Sequence, residues 1–133
     1  MMDAATRTLV CTRAEGRCEY CRVYQDHVEI SHHVEHIVAR KHGGPDAESN
    51  LCIACERCNL FKGSDLTGIA PETGEVERLF NPRTQVWAEH FGIRGPLIVG
   101  LTPTGRTTVR VLSMNAGQRL QLRAALVAHG LYP

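Results

Sequence analysis

Two Cys-x-x-Cys pairs, Cys18/Cys21 and Cys55/Cys58, constrain the fold of this chain more than any other feature. Each pair can turn two thiolates toward one cation, and together they complete a tetrahedral S₄ set with no position open for a substrate. Soft thiolates select zinc or iron–sulfur over magnesium. Two independent redox dithiols are the rival reading, but no thioredoxin-like βαβ pattern surrounds either pair. A single structural Zn2+ is therefore expected. Such a site contributes on the order of 10 kcal/mol or more to folding, so replacing any one of the four cysteines should unfold the chain.

A chain of 133 residues fits one domain, or a small core with an extension. Aromatics are only 5% and the middle is loop-rich, so a metal crosslink would supplement a modest core. The formal charge is +1, with 15 basic against 14 acidic residues. Bulk charge therefore provides no basis for strong non-specific attraction to nucleic acid, which would need a local basic face. Arg40-Lys41-His42, with Arg57 and Lys62 downstream, is the candidate; ordinary solvated charge is the plain alternative. The N-terminal residues lack a long apolar stretch, and no apolar run is long enough to span a membrane. Knuckle spacing without an export signal reads as metal ligation in a reducing, cytoplasmic setting. Cys11 and Cys52 are left over and are expected as small core residues.

Along the chain, Asp3 is placed to cap a helix reaching about Glu15, stopped by Gly16, with Leu9, Val10 and Ala14 on its buried side. Residues 27–38 fit one or two short strands, 42–50 a polar loop, and 51–54 a brief apolar run. A short helix should start at the second knuckle and run to about Lys62, with Asn59 and Lys62 pointing the same way. Further on, residues 86–91 read as helical or turn-like, and 97–101 with 107–112 as a hairpin around Thr102-Pro103-Thr104-Gly105. Asn115 with Gln118 resembles a capping box for a last helix, with Leu120, Leu122, Leu126 and Val127 as its apolar side and Gly130 as its end.

Between the knuckles lie Glu35-His36-Ile37, Gly43-Gly44, Asn50-Leu51 and Cys58-Asn59-x-x-Lys62. In order and spacing this run resembles the HNH endonuclease family, whose pattern is close to Asp-His-Ile, Gly-Gly, Asn-Leu and Cys-x-x-Cys-Asn-x-x-Lys. Residues 79–106 look more loosely like the C-terminal extension of one bacterial subgroup of that family. The resemblance implies an α+β fold with a ββα-metal core stapled by Cys₄ zinc. Residues 1–66 would form the nuclease core, and 67–133 an extension of hairpin and helix packed on it.

It also implies hydrolysis of DNA phosphodiesters with one divalent cation, Mg2+ or Mn2+, leaving 5′-phosphate and 3′-hydroxyl ends; RNA stays open as a substrate. His36 would be the general base, Glu35 and Asn59 the metal ligands, Asn50 the pin that aims the ring, and Lys62 a phosphate contact. His33, Arg40 and Arg57 would touch the nucleic-acid backbone. The residue types suit these tasks, since a neutral imidazole can activate water and oxygen donors suit a hard cation. Two departures stand out: glutamate replaces the usual aspartate at Glu35, and Val38-Ala39 occupies the place of a frequent proline. The alternative class is a zinc-stapled nucleic-acid-binding module with a degenerate site, and a third is a zinc-stabilised interaction domain. Adjacent Glu35 and His36 would face opposite sides of a regular strand, so joining them at one cation needs a bend or a rotamer change.

Overall fold

The computed structural model describes residues 2–133. Asp3 caps the first helix, α1 (Ala4–Ala14), its carboxylate accepting from Thr6 N at 2.7 Å. Glu15 and Gly16 both take left-handed backbone and end it. Val10 and Ala14, four apart, face inward. Leu9 and Cys11, expected in the core, lie on flanking arcs and are exposed.

Strands β1 (His33–His36) and β2 (Leu51–Ala54) pair antiparallel, with Val34 opposite Ile53 and Glu35 opposite Cys52. Every residue of β2 is buried because both faces of this ribbon are covered. Val34, Leu51 and Ile53 pack on Val10 and Ala14 of α1, whereas Cys52 and Ala54 join the main core. Helix α2 (Glu56–Lys62) follows β2 directly, and Cys55 Sγ caps it by accepting from Cys58 N at 3.4 Å.

Two further hairpins follow, β3 (Thr67–Ile69) with β4 (Val76–Arg78), and β5 (Phe91–Arg94) with β6 (Leu97–Gly100), the latter preceded by the short helix α3 (Trp87–His90). Here the structure departs from expectation. The partner of 97–100 is β5, and residues 107–112 belong to helix α4 (Pro103–Val111) or its cap. β-branched Thr107 and Thr108 favour a strand locally, but Thr102 accepts from Gly105 N at 3.0 Å and Pro103 pre-sets the first turn. Thr108 Oγ1 then donates to Thr104 O at 2.7 Å, within the helix. A Cβ on Gly105 would lie 1.9 Å from His90 O, so glycine lets α4 sit against the end of α3.

The last helix, α5 (Gly117–Ala128), has no side-chain cap. Asn115 instead clamps β6, accepting from Ile98 N at 3.0 Å and donating to Ile98 O at 2.8 Å. The stripe that α5 buries is Arg119, Arg123 and Leu126, two arginines where an apolar side was expected. Leu122 and Val127 pack more peripherally.

The main core runs from Cys18, Tyr20 and Cys52 through Phe80 and Phe91 to Leu126 and Tyr132, so both halves of the chain share it. Phe80 meets Phe91 edge-on at 5.1 Å, and Trp87 stacks on Phe91 at 5.0 Å while its indole donates to Tyr20 O at 2.7 Å. Among the described residues no helix is long and apolar enough to cross a membrane.

Candidate functional site

The four knuckle cysteines converge. Their sulfurs lie within 4.8 Å of one another, all four residues are buried, and Cys21 and Cys55 approach to 3.7 Å. Zn–S bonds of about 2.3 Å in a tetrahedron put sulfurs roughly 3.8 Å apart, so the set fits zinc. Burial pushes the Cys18 and Cys58 thiols well up, while a hydrogen bond with Cys18 first of all brings Cys55 down to about 7. Thiols packed this closely cannot all ionise without a cation among them. Backbone N–H groups already point at two sulfurs, Cys21 N at Cys18 Sγ and Cys58 N at Cys55 Sγ, each at 3.4 Å.

Beyond β1 the chain turns through residues 37–50 under the control of Asn50. Its Oδ1 accepts from Val38 N, and its Nδ2 donates to Val38 O and Pro45 O, all at 2.9 Å. A Cβ on Gly44 would lie 1.7 Å from Val38 O, so this loop requires glycine there. His36 leaves β1 toward the loop, and its Nε2 meets Asp46 Oδ1 at 2.7 Å. Arg40 grips the same carboxylate, Nε to Oδ1 at 2.9 Å and Nη2 to Oδ2 at 3.1 Å. The Arg40 hydrogen bond, and then that of His36, hold Asp46 well below the usual carboxylate range. A carboxylate only accepts, so in the neutral ring Nε2 carries the proton and Nδ1 keeps its lone pair.

Glu35 projects from the opposite face of β1, toward α2. It is 6% exposed, and its Oε1 has no hydrogen-bond partner. Lys62 Nζ stands 3.9 Å from that oxygen but donates to Ile37 O at 2.9 Å and His36 O at 3.5 Å. Burial pushes the Glu35 carboxyl up to about 8, against the pull of Lys62. A cavity of about 340 Å³ opens beside Lys62, with Ile37, Val38, Arg78, Asn81 and Gln85 in its lining.

The residues singled out from sequence therefore fall into separate groups. Glu35 and Lys62 meet under the ribbon, His36 and Arg40 share the Asp46 carboxylate above it, and Asn50 ties the intervening loop. Asn59 is half-buried on α2, while His33 and Arg57 are exposed. The described side-chain contacts do not join Asn59 to Glu35 or His36. Lys62 is 2% exposed and donates to backbone carbonyls, while Arg40 is exposed and pairs with Asp46. A buried carboxylate oxygen without a hydrogen-bond partner is the kind of donor a hard cation takes.

Sequence reasoning missed two residues that complete these groups. Asp46 follows the Gly43-Gly44-Pro45 turn, where its only signal was a polar residue in a loop; Arg119 lies far from either knuckle and had none.

A mixed α/β fold carrying a four-cysteine cluster that can bind zinc is the class these observations define. Residues 18–65, from the first knuckle to just past α2, match the family model described as HNH endonuclease. That family implies a nuclease or nucleic-acid-binding function. No curated protein and no solved structure matches the chain.

Proposed function

We propose that this protein is a metal-dependent endonuclease that hydrolyses DNA phosphodiester bonds, with β1, β2 and α2 as its ββα-metal unit. The observation that carries the reading is the buried Oε1 of Glu35, which faces α2 without a hydrogen-bond partner. A carboxylate at that depth with one oxygen unbonded is costly even with Lys62 nearby, and a divalent cation offsets the cost. Glu35 and Asn59 would hold it. When bound, the cation supplies Lewis-acid polarisation of the phosphoryl group and stabilises the departing 3′-oxygen.

The protein's own groups do the rest. His36 accepts the proton of the attacking water at Nδ1, and Asp46, fixed by Arg40, holds the ring in the tautomer that leaves this nitrogen free. Asn50 keeps the loop, and so the ring, in register. Lys62 braces the carbonyls at the end of β1 and stands beside the carboxylate. Exposed His33 and Arg57 are the proposed backbone contacts, and 5′-phosphate and 3′-hydroxyl ends are the expected products.

One observation favours a second reading, a nucleic-acid-binding module with a degenerate site. Glu35 and His36 project to opposite faces of β1, and an amine, Lys62, already stands near the carboxylate. Nicking of supercoiled plasmid with Mg2+, Mn2+ or EDTA separates the two. Metal-dependent cleavage supports the enzyme; retained DNA binding without cleavage under either ion sinks it in favour of the binder.

A further inference from the structure

Arg119 comes from α5, outside the segment that matches the family, yet its guanidinium reaches the cysteine cluster. Nη2 donates to Cys58 Sγ at 2.9 Å and stands 3.8 Å from Cys55 Sγ. Nη1 donates to Leu112 O at 2.6 Å and approaches Ser113 O at 3.3 Å, carbonyls at the end of α4. The residue is buried, at 9% exposure. Buried arginine is rare without charge compensation, and no carboxylate pairs with Arg119 among the described residues. The groups it meets are sulfurs and carbonyls.

The hydrogen bonds to the sulfurs are asymmetric. Backbone N–H groups serve Cys18 and Cys55, the first cysteine of each knuckle. Among the described residues, the N–H donor to Cys58 is Arg119. A zinc ion held by four thiolates leaves two negative charges in excess, and a dry interior makes those charges expensive. A second buried arginine, Arg123, 1% exposed, follows one turn later on α5. Beside the cluster opens a cavity of about 290 Å³ with Cys21, Cys55, Arg119 and Arg123 in its lining.

We propose that Arg119 is a positioning residue of the zinc centre: it donates to the Cys58 thiolate, offsets the charge of the tetrathiolate, and makes zinc retention depend on the docking of α5. The role rests on zinc occupying the cluster and is independent of nuclease activity. Outer partners of this kind typically change metal affinity by about 10–100-fold.

The test uses the full-length zinc-loaded protein. Zinc transfer to a chromogenic chelator is timed for the wild type and for Arg119→Leu, Arg119→Gln and Arg119→Lys. In parallel, the cobalt-substituted forms are compared by their sulfur-to-metal charge-transfer bands. Leu and Gln are expected to release zinc about 10–100-fold faster. Lys, which keeps charge without the planar fork, should fall between them and the wild type. Shifted cobalt bands would mark a change at the thiolates that mere loss of packing would not produce. If Leu and Gln fail to fold, Lys decides alone: wild-type release and unshifted bands overturn the proposal. Wild-type release in every variant overturns it too. A wild-type protein that purifies with four free thiols and takes up no zinc overturns the metal reading itself.

Discussion

The two faces of β1 carry two carboxylate environments that differ in nearly every respect. Beneath the ribbon Glu35 is buried, short of one hydrogen bond, and pushed up to about 8 by desolvation. Above it Asp46 accepts from Arg40 and His36 and is held low. Same chemical group, opposite protonation tendencies. Environment rather than residue type assigns acid, base and ligand roles in hydrolases generally. The low carboxylate, in the loop, can orient the imidazole that β1 carries, while the raised one on the strand gains most from a cation. Strand alternation, which separates Glu35 from His36, is what lets the two surroundings differ so much.

The largest test of that division removes the imidazole. His36→Ala should lower plasmid cleavage by about 10²–10⁴ with folding intact, since His36 is only partly buried and its ring bonds a loop carboxylate. Circular dichroism and zinc content check the fold. Cleavage within twofold of wild type would show that this face does not supply the base. Glu35→Gln tests the other face with a near-isosteric amide. It should abolish the response to added Mn2+ while leaving DNA binding in place, read by titrating cleavage and gel shift against metal.

Much of this was legible in the chain itself, because the signals were local. Cys-x-x-Cys spacing announced the cluster, Asp3 and Gly16 bounded α1, and the ordered anchors from Glu35 to Lys62 marked the site region. Long-range partners were not. Thr107 and Thr108 look like strand residues until Thr102 and Pro103 are seen to start a helix. Asn115 looks like a cap, but its side chain is taken by Ile98, on a strand brought near only by folding. Lys62 sits where a phosphate contact was expected, yet packing seals its amine against carbonyls. Arg119 carries no sequence signal, because its partner is a sulfur cluster assembled from the other half of the chain.

A smaller effect is expected from Asp46→Ala, which frees the His36 ring without removing it. Loss of an orienting partner costs about 10–100-fold, and Asp46→Asn should recover part of it, because an amide oxygen can still accept from Nε2. The informative comparison is Asp46→Ala with His36→Ala and their double variant. If Asp46 acts through the ring, the double variant is no slower than His36→Ala alone. Additive losses would assign Asp46 a role of its own and break the pairing of imidazole and carboxylate.

The most discriminating effect is in stability against pH, measured as Tm on protein that retains its zinc but has no added Mg2+ or Mn2+. Glu35 is raised from 4.5 to about 8 in the folded chain, so its contribution is present in full below about 4.5 and is lost as pH rises through about 8. That loss is on the order of a few kcal/mol, and Glu35→Gln should flatten it. Asp46 works in the opposite sense. Its folded value lies below 3.8, so its contribution is present above that value and vanishes as pH falls through the lower folded one. The gap in Tm between wild type and Asp46→Asn should therefore be widest near neutrality and close in strong acid. Because Asp46 lies in solvent-screened surroundings, its gap should be the smaller of the two. Added Mn2+ should restore wild-type stability at high pH by favouring the ionised Glu35, and leave the Asp46 gap unchanged. A cation that shifts both curves equally would place its binding away from β1, and the difference between the faces would then have nothing to do with metal.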